Sequence, residues 1–408
     1  MGAQPCAPTK FLRMFTILLT GGRAPAALEL ARIFHAAGHR VLMAESTPYH
    51  LSEPSRAIER NFRVPPPRQQ SAAYLDALKR IVIEHEVDLL IPTCEEIFYV
   101  SMGRDMLAQH CTVFVEPIER LRPLHNKWMF ACRAQEYGLA VPETMLIETL
   151  DDLHDTFARW DALVLKPAYS RFASQTIICP ADFASVSHLN ITPDASWVAQ
   201  RFIEGQQICT FSIVHNGKIA AHTAYRSEFT AGQGATIVFC HEDHPSALGW
   251  VEQFVMRERF TGQIAFDFIE AVDGSVVALE CNPRATSGVH LFALTPQFPQ
   301  AFFDGSTASL TPQSAESYML IIGMLVYGMP AAIKNHRLRE WSRALIHSRD
   351  VVFNSRDPLP ALLQWRGIAH FIRLGRQHSI SPLEASTLDI EWNGESYDVL
   401  SASVGRRS

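Results

Sequence analysis

The segments Ile264-Ala-Phe-Asp-Phe-Ile-Glu270 and Val276-Val-Ala-Leu-Glu-Cys-Asn-Pro-Arg284 decide how this chain is read. The second is an apolar run interrupted by Glu280, Asn282 and Arg284. Alternate residues of a strand point the same way, so these three side chains share one face and Cys281 takes the other. Asp267 sits in the earlier apolar run, and Asp273-Gly274 supplies the turn of an antiparallel hairpin between the two. One patch thus receives two carboxylates, an amide oxygen and a guanidinium. Such an oxygen-rich set suits Mg²⁺ on nucleotide phosphates, because Mg²⁺ takes one or two carboxylates and leaves its remaining positions to phosphate and water. A half-buried hairpin with a solvated polar face is the plainer alternative, weakened by the rarity of buried Glu and Arg without partners.

With these residues in view, the chain resembles the ATP-grasp ligases. In that family two strand carboxylates, with an Asn two residues after the second, hold the magnesium ions on ATP. The resemblance assigns Asp267, Glu280 and Asn282 as metal ligands and gives ATP and Mg²⁺ as cofactors, with Mn²⁺ as an alternative ion. The spelling Glu280-Cys-Asn-Pro-Arg284 is similar to the carbamoyl phosphate synthetase and L-amino acid ligase branches.

Other segments agree. Val164-Leu-Lys166-Pro is a strand ending in a Lys before a Pro, and Asn126-Lys127 opens an amphipathic stretch running to Gly138. The family carries one nucleotide-contacting Lys in each context, and a flexible cation on a strand end suits phosphate. Trp197-Val-Ala-Gln-Arg-Phe-Ile-Glu-Gly205-Gln-Gln207 resembles the hinge between the two clasping lobes. The resemblance implies that Gln200, Arg201, Phe202 and Ile203 meet adenine and that Gln207 meets the ribose. Gln207 departs from the usual Glu and lacks the charge-assisted gain of a carboxylate, which leaves Glu204 as a substitute. After Lys166 the family often has a glycine-rich flap, whereas this chain reads Ala168-Tyr-Ser-Arg-Phe-Ala-Ser174. Ser170, Arg171 and Ser174 can offer donors there, with less backbone freedom than Gly would give.

Composition bounds the rest. The 408 residues exceed a single core, so two to four lobes are expected. A formal charge of −6 argues against a general nucleic-acid binder, which would show a basic field. Eight Cys without a Cys-x-x-Cys pair indicate free thiols in a reducing, cytoplasmic setting rather than a zinc ribbon or disulfide framework. The 17 His show no His-Glu-x-x-His spacing. Phe15-Thr-Ile-Leu-Leu-Thr20 is too short for a signal-peptide core and leads into Gly21-Gly22, so it reads as a first strand. The apolar run from Tyr318 to Ile333 is broken by Gly323, Gly328 and Pro330 and reads as a buried helix, not a membrane span.

Between residues 14 and 116, short apolar runs (Phe15 to Leu19, Val41 to Ala44, Val87 to Ile91, Val113 to Val115) alternate with amphipathic stretches. That periodicity predicts a doubly wound parallel sheet. The expected fold class is α/β, with α+β clasping lobes. Residues 1–117 would form a Rossmann-like lobe, 118–205 and 206–300 the two clasping lobes, and 301–408 a region closing the cleft. Thr20-Gly-Gly-Arg-Ala lacks the full dinucleotide glycine fingerprint. Ile91-Pro-Thr93-Cys-Glu95-Glu96 lies at a strand's C-terminal end, where ligands bind in such sheets. Glu95 or Glu96 faces the cleft on that reading, and a helix N-terminal acid explains them equally well. Ala221-His-Thr-Ala-Tyr-Arg226 followed by Thr230-Ala-Gly-Gln-Gly234 reads as a strand entering a mobile loop, with Arg226 reaching the γ-phosphate or a substrate carboxylate. Ser287, Gly288 and His290 continue from the metal strand into the cleft and resemble the acid-binding loop of amino acid ligases. Asp389-Ile-Glu-Trp-Asn-Gly394 and Tyr397 suggest a closing hairpin.

The resemblance implies an ATP-dependent ligase that joins a carboxylate to an amine through an acylphosphate, with Arg284 stabilising the oxyanion. Its partners would be small-molecule acids and amines, amino acids foremost, with no nucleic acid and no membrane, and with a homodimer left open. Three rivals remain: carboxyphosphate chemistry on bicarbonate, a non-catalytic ATP-binding protein of the same fold, and a Rossmann oxidoreductase, which the missing glycine fingerprint disfavours.

Overall fold

The computed structural model describes residues 13–170, 175–231, 235–305 and 309–395. Its first strands are the apolar runs of the N-terminal third: β1 (Thr16–Thr20), β2 (Arg40–Glu45), β3 (Arg60–Arg63), β4 (Leu89–Ile91) and β5 (Thr112–Val113). They form a parallel sheet in the order β3-β2-β1-β4-β5. Parallel strands need both faces covered. Leu30 and Phe34 of the helix Pro25–Ala36, with Phe298 and Phe302, bury the Ile17, Leu19 and Met43 side. Tyr74 and Leu78 of the helix Ser71–Glu84, with Phe98, bury the Leu18, Leu42 and Leu90 side. Strand β3 was not expected from the sequence; its residues Arg-Asn-Phe-Arg are polar and mostly exposed, as an edge strand tolerates.

A four-stranded sheet follows, from β6 (Thr144–Ile147), β7 (Leu163–Pro167), β8 (Ile177–Ile178) and β9 (Trp197–Arg201), in the antiparallel order β6-β9-β7-β8. After residues 202–204 the chain enters a seven-stranded sheet. Its members are β10 (Gly205–His215), β11 (Lys218–Ala231), β12 (Ala235–Glu242), β13 (Gly262–Ala271), β14 (Val276–Asn282), β15 (Ser317–Met319) and β16 (Ser348–Asp350). The order is β14-β13-β10-β11-β12-β15-β16. One face, with Ile208, Phe266, Phe268 and Ala278, packs on Trp250 and Phe254 of the helix Pro245–Glu258 and on Phe130. The other face packs Phe211, Ile213 and Ala265 on Val289, Phe292 and Phe298, and carries Asp267 beside that packed area.

The C-terminal region differs from its sequence reading. Strands β15 and β16, beyond residue 300, extend the seven-stranded sheet. The apolar run after Tyr318 is helical from Ile321 to Lys334, but Leu325, Val326, Tyr327 and Ile333 are exposed rather than buried. Strand β11 continues past Arg226 to Ala231, and residues 232–234 of the loop expected after it lie outside the described residues. Residues 389–395 form no hairpin; Trp392 is fully buried and Asp389 pairs with Arg23. Tyr397, Arg171, Ser174 and Gly234 lie outside the described residues. Among the described residues no helix is long and apolar enough to cross a membrane.

Candidate active site

The hairpin β13–β14 turns at Asp273-Gly274, where Gly274 adopts φ +82° and its N–H donates to the Ala271 carbonyl. Its register sets Asp267 directly opposite Glu280 and Ala265 opposite Asn282. Opposite residues of an antiparallel pair share a face, so both carboxylates and the amide emerge together. Asn282 Nδ2 donates to Asp267 Oδ2 at 3.2 Å and lies 3.5 Å from Glu280 Oε1. Burial, then the Glu280 charge, pushes the Asp267 carboxyl upward, while Lys127 and Lys166 hold Glu280 below the usual range against its own burial. Two facing carboxylates in which one resists ionisation are a site that gains by taking a cation. Among the described residues no three His, Cys, Asp or Glu side chains form a closed metal cage. Two carboxylates and an amide oxygen are hard donors that fit an ion such as Mg²⁺, which completes its shell with phosphate oxygens and water.

Two lysines face this pair, Lys127 from a helix that packs on the seven-stranded sheet through Phe130 and Lys166 from the four-stranded sheet. Asn126 caps the helix Lys127–Glu136 by accepting the Met129 N–H. That cap sets Lys127 at the helix start, with Nζ 3.6 Å from Glu280 Oε2 and 3.4 Å from the Ser170 carbonyl it donates to. Lys166, next to last on β7, is buried; desolvation lowers its pKa and Lys127 adds to this, while Glu280 and Asp267 oppose it. The Lys127 backbone N–H donates to the Ala168 carbonyl, tying the two lysine segments together.

On the far side, Glu95 is fully buried and receives Arg284 Nε at 3.1 Å. Arg284 also donates to Asn282 Oδ1 at 3.0 Å and to the Ala285 carbonyl at 3.3 Å. A guanidinium has five N–H groups, so two remain on the terminal nitrogens for a substrate oxygen. The choice the sequence left open between Glu95 and Glu96 is resolved by geometry. Glu96 turns back, accepting from Thr20 Oγ1 at 2.7 Å and from the Thr93 and Cys94 N–H groups.

The hinge residues divide. Gln200 is buried on β9, its Nε2 reaching Thr144 Oγ1 and the Leu279 carbonyl, and its Oε1 has no hydrogen-bond partner among the described residues. The Arg201 side chain turns out to solvent and pairs with Glu143, and its N–H already donates to the Glu143 carbonyl. Phe202 is partly exposed and its N–H is taken by Ala162, while Ile203 is half-buried in the link to β10. Gln207 shares the Asp267 face, two residues before Cys209, which stands opposite Asp267; Glu204 is exposed.

Two expectations need correction. Arg226 stands opposite Ile208, whose other neighbour is Phe268, so it lies on the sheet face away from Asp267. There it is held by Glu242 and Glu270 at 2.7 and 2.8 Å and by Gln206. His290 is buried in the 3-10 helix Ser287–Phe292 and turns to Glu29 of the helix Pro25–Ala36, at 3.0 Å, rather than into the cleft. Gly288 serves packing: a Cβ there would stand 2.4 Å from the Phe211 Cβ. Ser287 opens that 3-10 turn, three residues beyond Arg284.

His125 went unread in the sequence although it directly precedes Asn126-Lys127. It is buried 3.8 Å from Glu95 Oε2, and burial brings its pKa down to about 4. It is a neutral neighbour of Glu95 at physiological pH.

No protein-family model matches this sequence, and no curated protein matches it by sequence. Solved structures do match by shape. An L-amino acid ligase from Bacillus licheniformis superposes with a TM-score of 0.53 at 15% identity, over 67% of each chain. Phosphoribosylamine–glycine ligase from Thermotoga maritima gives 0.58 at 14% identity, over 74% of this chain and 78% of its own. The chain has the ATP-grasp fold. A third ATP-grasp relative in shape is the biotin carboxylase domain of the Hydrogenobacter thermophilus 2-oxoglutarate carboxylase, solved with MgADP and bicarbonate. It gives 0.56 at 12% identity over 73% of this chain and 72% of its own.

Proposed function

We propose that the chain is an ATP-dependent carboxylate–amine ligase that makes an amide through an acylphosphate and releases ADP and phosphate. One observation carries the reading: Asp267 and Glu280 stand opposite each other, with Lys127 and Lys166 on one flank and the Glu95–Arg284 pair on the other. Asp267, Glu280 and the Asn282 oxygen would hold Mg²⁺, which would supply neutralisation of the nucleotide's phosphate charge. The Asn282 amide, which now offers Nδ2 to the carboxylates, turns its oxygen to such an ion. Lys127 and Lys166 hold the phosphates, with Ser170 beside them, and the unpaired Gln200 Oε1 accepts from the adenine amino group. Gln207 takes the ribose.

A substrate carboxylate oxygen attacks the γ-phosphorus and ADP leaves. The amine then attacks the acyl carbon, loses its proton to solvent and expels phosphate, which carries away one oxygen of the acid. N–H groups on the terminal nitrogens of Arg284, oriented by the Nε–Glu95 pair, meet the oxyanion of that second step. Amino acids are the proposed acid and amine, in a cytoplasmic setting.

The test is phosphate release from ATP across pairs of amino acids, followed by ¹⁸O labelling of the acid. ADP should accumulate, and the label should reach inorganic phosphate. Label arriving only from ¹⁸O-bicarbonate would support carboxyphosphate chemistry instead. AMP with pyrophosphate would exclude both, since an adenylate forms by attack at the α-phosphorus.

A further inference from the structure

Both lysine segments lean on one side chain from the far end of the chain. Trp392 is fully buried, although it belongs to a segment without regular structure. Its ring stacks on Phe98 at 4.9 Å and on His125 at 6.2 Å, and meets Tyr169 edge-on at 5.6 Å. His125 lies two residues before Lys127, and Tyr169 three residues after Lys166. The indole N–H donates to the Glu395 carbonyl at 3.1 Å, the Tyr99 hydroxyl donates to the Glu391 carbonyl at 2.9 Å, and Arg122 lies over the ring. Asp389 fixes the start of the segment through Arg23. At its end, Gly394 adopts φ +89° against the Tyr169 ring, where a Cβ would come within 2.7 Å. Trp392 is thus wedged behind the nucleotide lysines and touches neither.

We propose that Trp392 is a positioning residue for nucleotide binding. It holds His125 and Tyr169, and through them sets Lys127 and Lys166 at the spacing that the phosphates require. This rests on the ligase reading only in taking those lysines as nucleotide contacts. The chemistry is that of a rigid aromatic anchor: a large ring with few rotamers fixes its neighbours at little cost in conformational entropy. The lysines are flexible, so their placement depends on where their backbone segments are held. A polar segment such as Asp389-Ile-Glu-Trp-Asn-Gly394 has no reason to bury its one aromatic at a lobe junction unless that junction needs a wedge.

The experiment is direct binding of MgADP, by calorimetry, to the full chain and to Trp392→Ala, Trp392→Phe, Tyr169→Ala and the double variant Trp392→Ala/Tyr169→Ala. Circular dichroism and melting midpoints are recorded for each. Trp392→Ala should weaken MgADP about tenfold, the order expected for displaced binding groups, and Trp392→Phe should recover most of it. Because Trp392 acts partly through Tyr169, the double variant should lose less than the product of the single losses. Should Trp392→Ala fail to fold, Gly394→Ala displaces Tyr169 from the same side and should weaken MgADP likewise, with the chain still folded. Wild-type affinity in a folded Trp392→Ala or Gly394→Ala protein overturns the proposal and leaves the ligase reading standing. Multiplicative losses in the double variant also overturn it. A wild-type chain that does not bind MgADP overturns both.

Discussion

Glu280 is the residue whose loss should be felt most. Its carboxylate meets Asp267, Asn282 and Lys127 from a strand surface, where a shorter side chain leaves the ladder intact. Glu280→Ala should abolish phosphate release while circular dichroism stays unchanged, and near-normal turnover in the folded variant would remove the metal assignment. Asp267→Asn should lose less, since one ligand oxygen survives, and it should also stabilise the magnesium-free protein. The sign follows from the raised Asp267 pKa: the folded state resists the charge, so the deficit is present at pH 8 and shrinks as pH falls. The melting midpoint of Asp267→Asn should exceed wild type at pH 8, and the excess should shrink as pH falls below about 7 and close only near about pH 4. Lys166→Ala removes one charge-assisted contact and should weaken ATP by about 1.5–3 kcal/mol, measured by direct binding. At this scale the sequence was most legible where a residue sits in an ordered strand. Asp267, Glu280 and Asn282 could be placed on one face from parity alone, and the structure sets them there. Arg226 could not, because the same parity gives two faces and nothing local to β11 says which one meets the nucleotide.

Elements were legible in proportion to their contrast with their surroundings. The parallel strands β1, β2 and β4 are apolar runs between amphipathic stretches and could be read directly, whereas β3 is polar and short and left no signal. The helix after Tyr318 was readable as a helix but not as an exposed one, because burial of an apolar run depends on tertiary partners that periodicity does not encode. The His290 loop was read as continuing into the cleft, but the 3-10 turn at Ser287 redirects it against the helix Pro25–Ala36. The cluster on the outer face of β11 gives a prediction of its own. Arg226 is partly exposed and bonded to two carboxylates, so Arg226→Ala should cost about 1 kcal/mol of stability or less, read from denaturant midpoints. MgADP affinity should stay within about twofold of wild type, an estimate that follows from independent, distant sites adding. A large loss of affinity would return Arg226 to the site.

Across the whole molecule, the far end of the chain is bound to the first lobe by buried charge. Arg23 meets Glu45 and Asp389, with Ser46 hydroxyl donating to Asp389. Against the upward push of burial, Arg23 holds Glu45 down to about 2. Removing one partner from such a cluster leaves a buried charge, so Arg23→Ala should destabilise by about 3–5 kcal/mol. A depressed carboxylate contributes stability above its unfolded pKa and loses it as pH falls through the folded one. The wild-type advantage over Arg23→Ala, from denaturant melts, should therefore be full at pH 6 and shrink between about pH 4 and pH 2. None of this was visible in sequence, since Arg23 and Asp389 stand at opposite ends of the chain and neither lies in a motif.

Gln263, at the start of β13, donates to the Pro92 carbonyl at the end of the N-terminal sheet at 2.8 Å, fully out of water. The strand bearing Asp267 is thus stapled to the lobe bearing Glu95, while the four-stranded sheet meets the large one through weaker contacts such as Gln200 Nε2 to the Leu279 carbonyl at 3.5 Å. Amide hydrogen exchange should report that asymmetry. Amides of Gly262 to Asp267 should exchange slowly and at the same rate with or without MgADP, whereas those of β7 and β9 should slow when it binds. In kinetic terms, on the proposed reading the Asp267 strand should be ordered before a nucleotide arrives, and β7, which carries Lys166, should settle only when one binds.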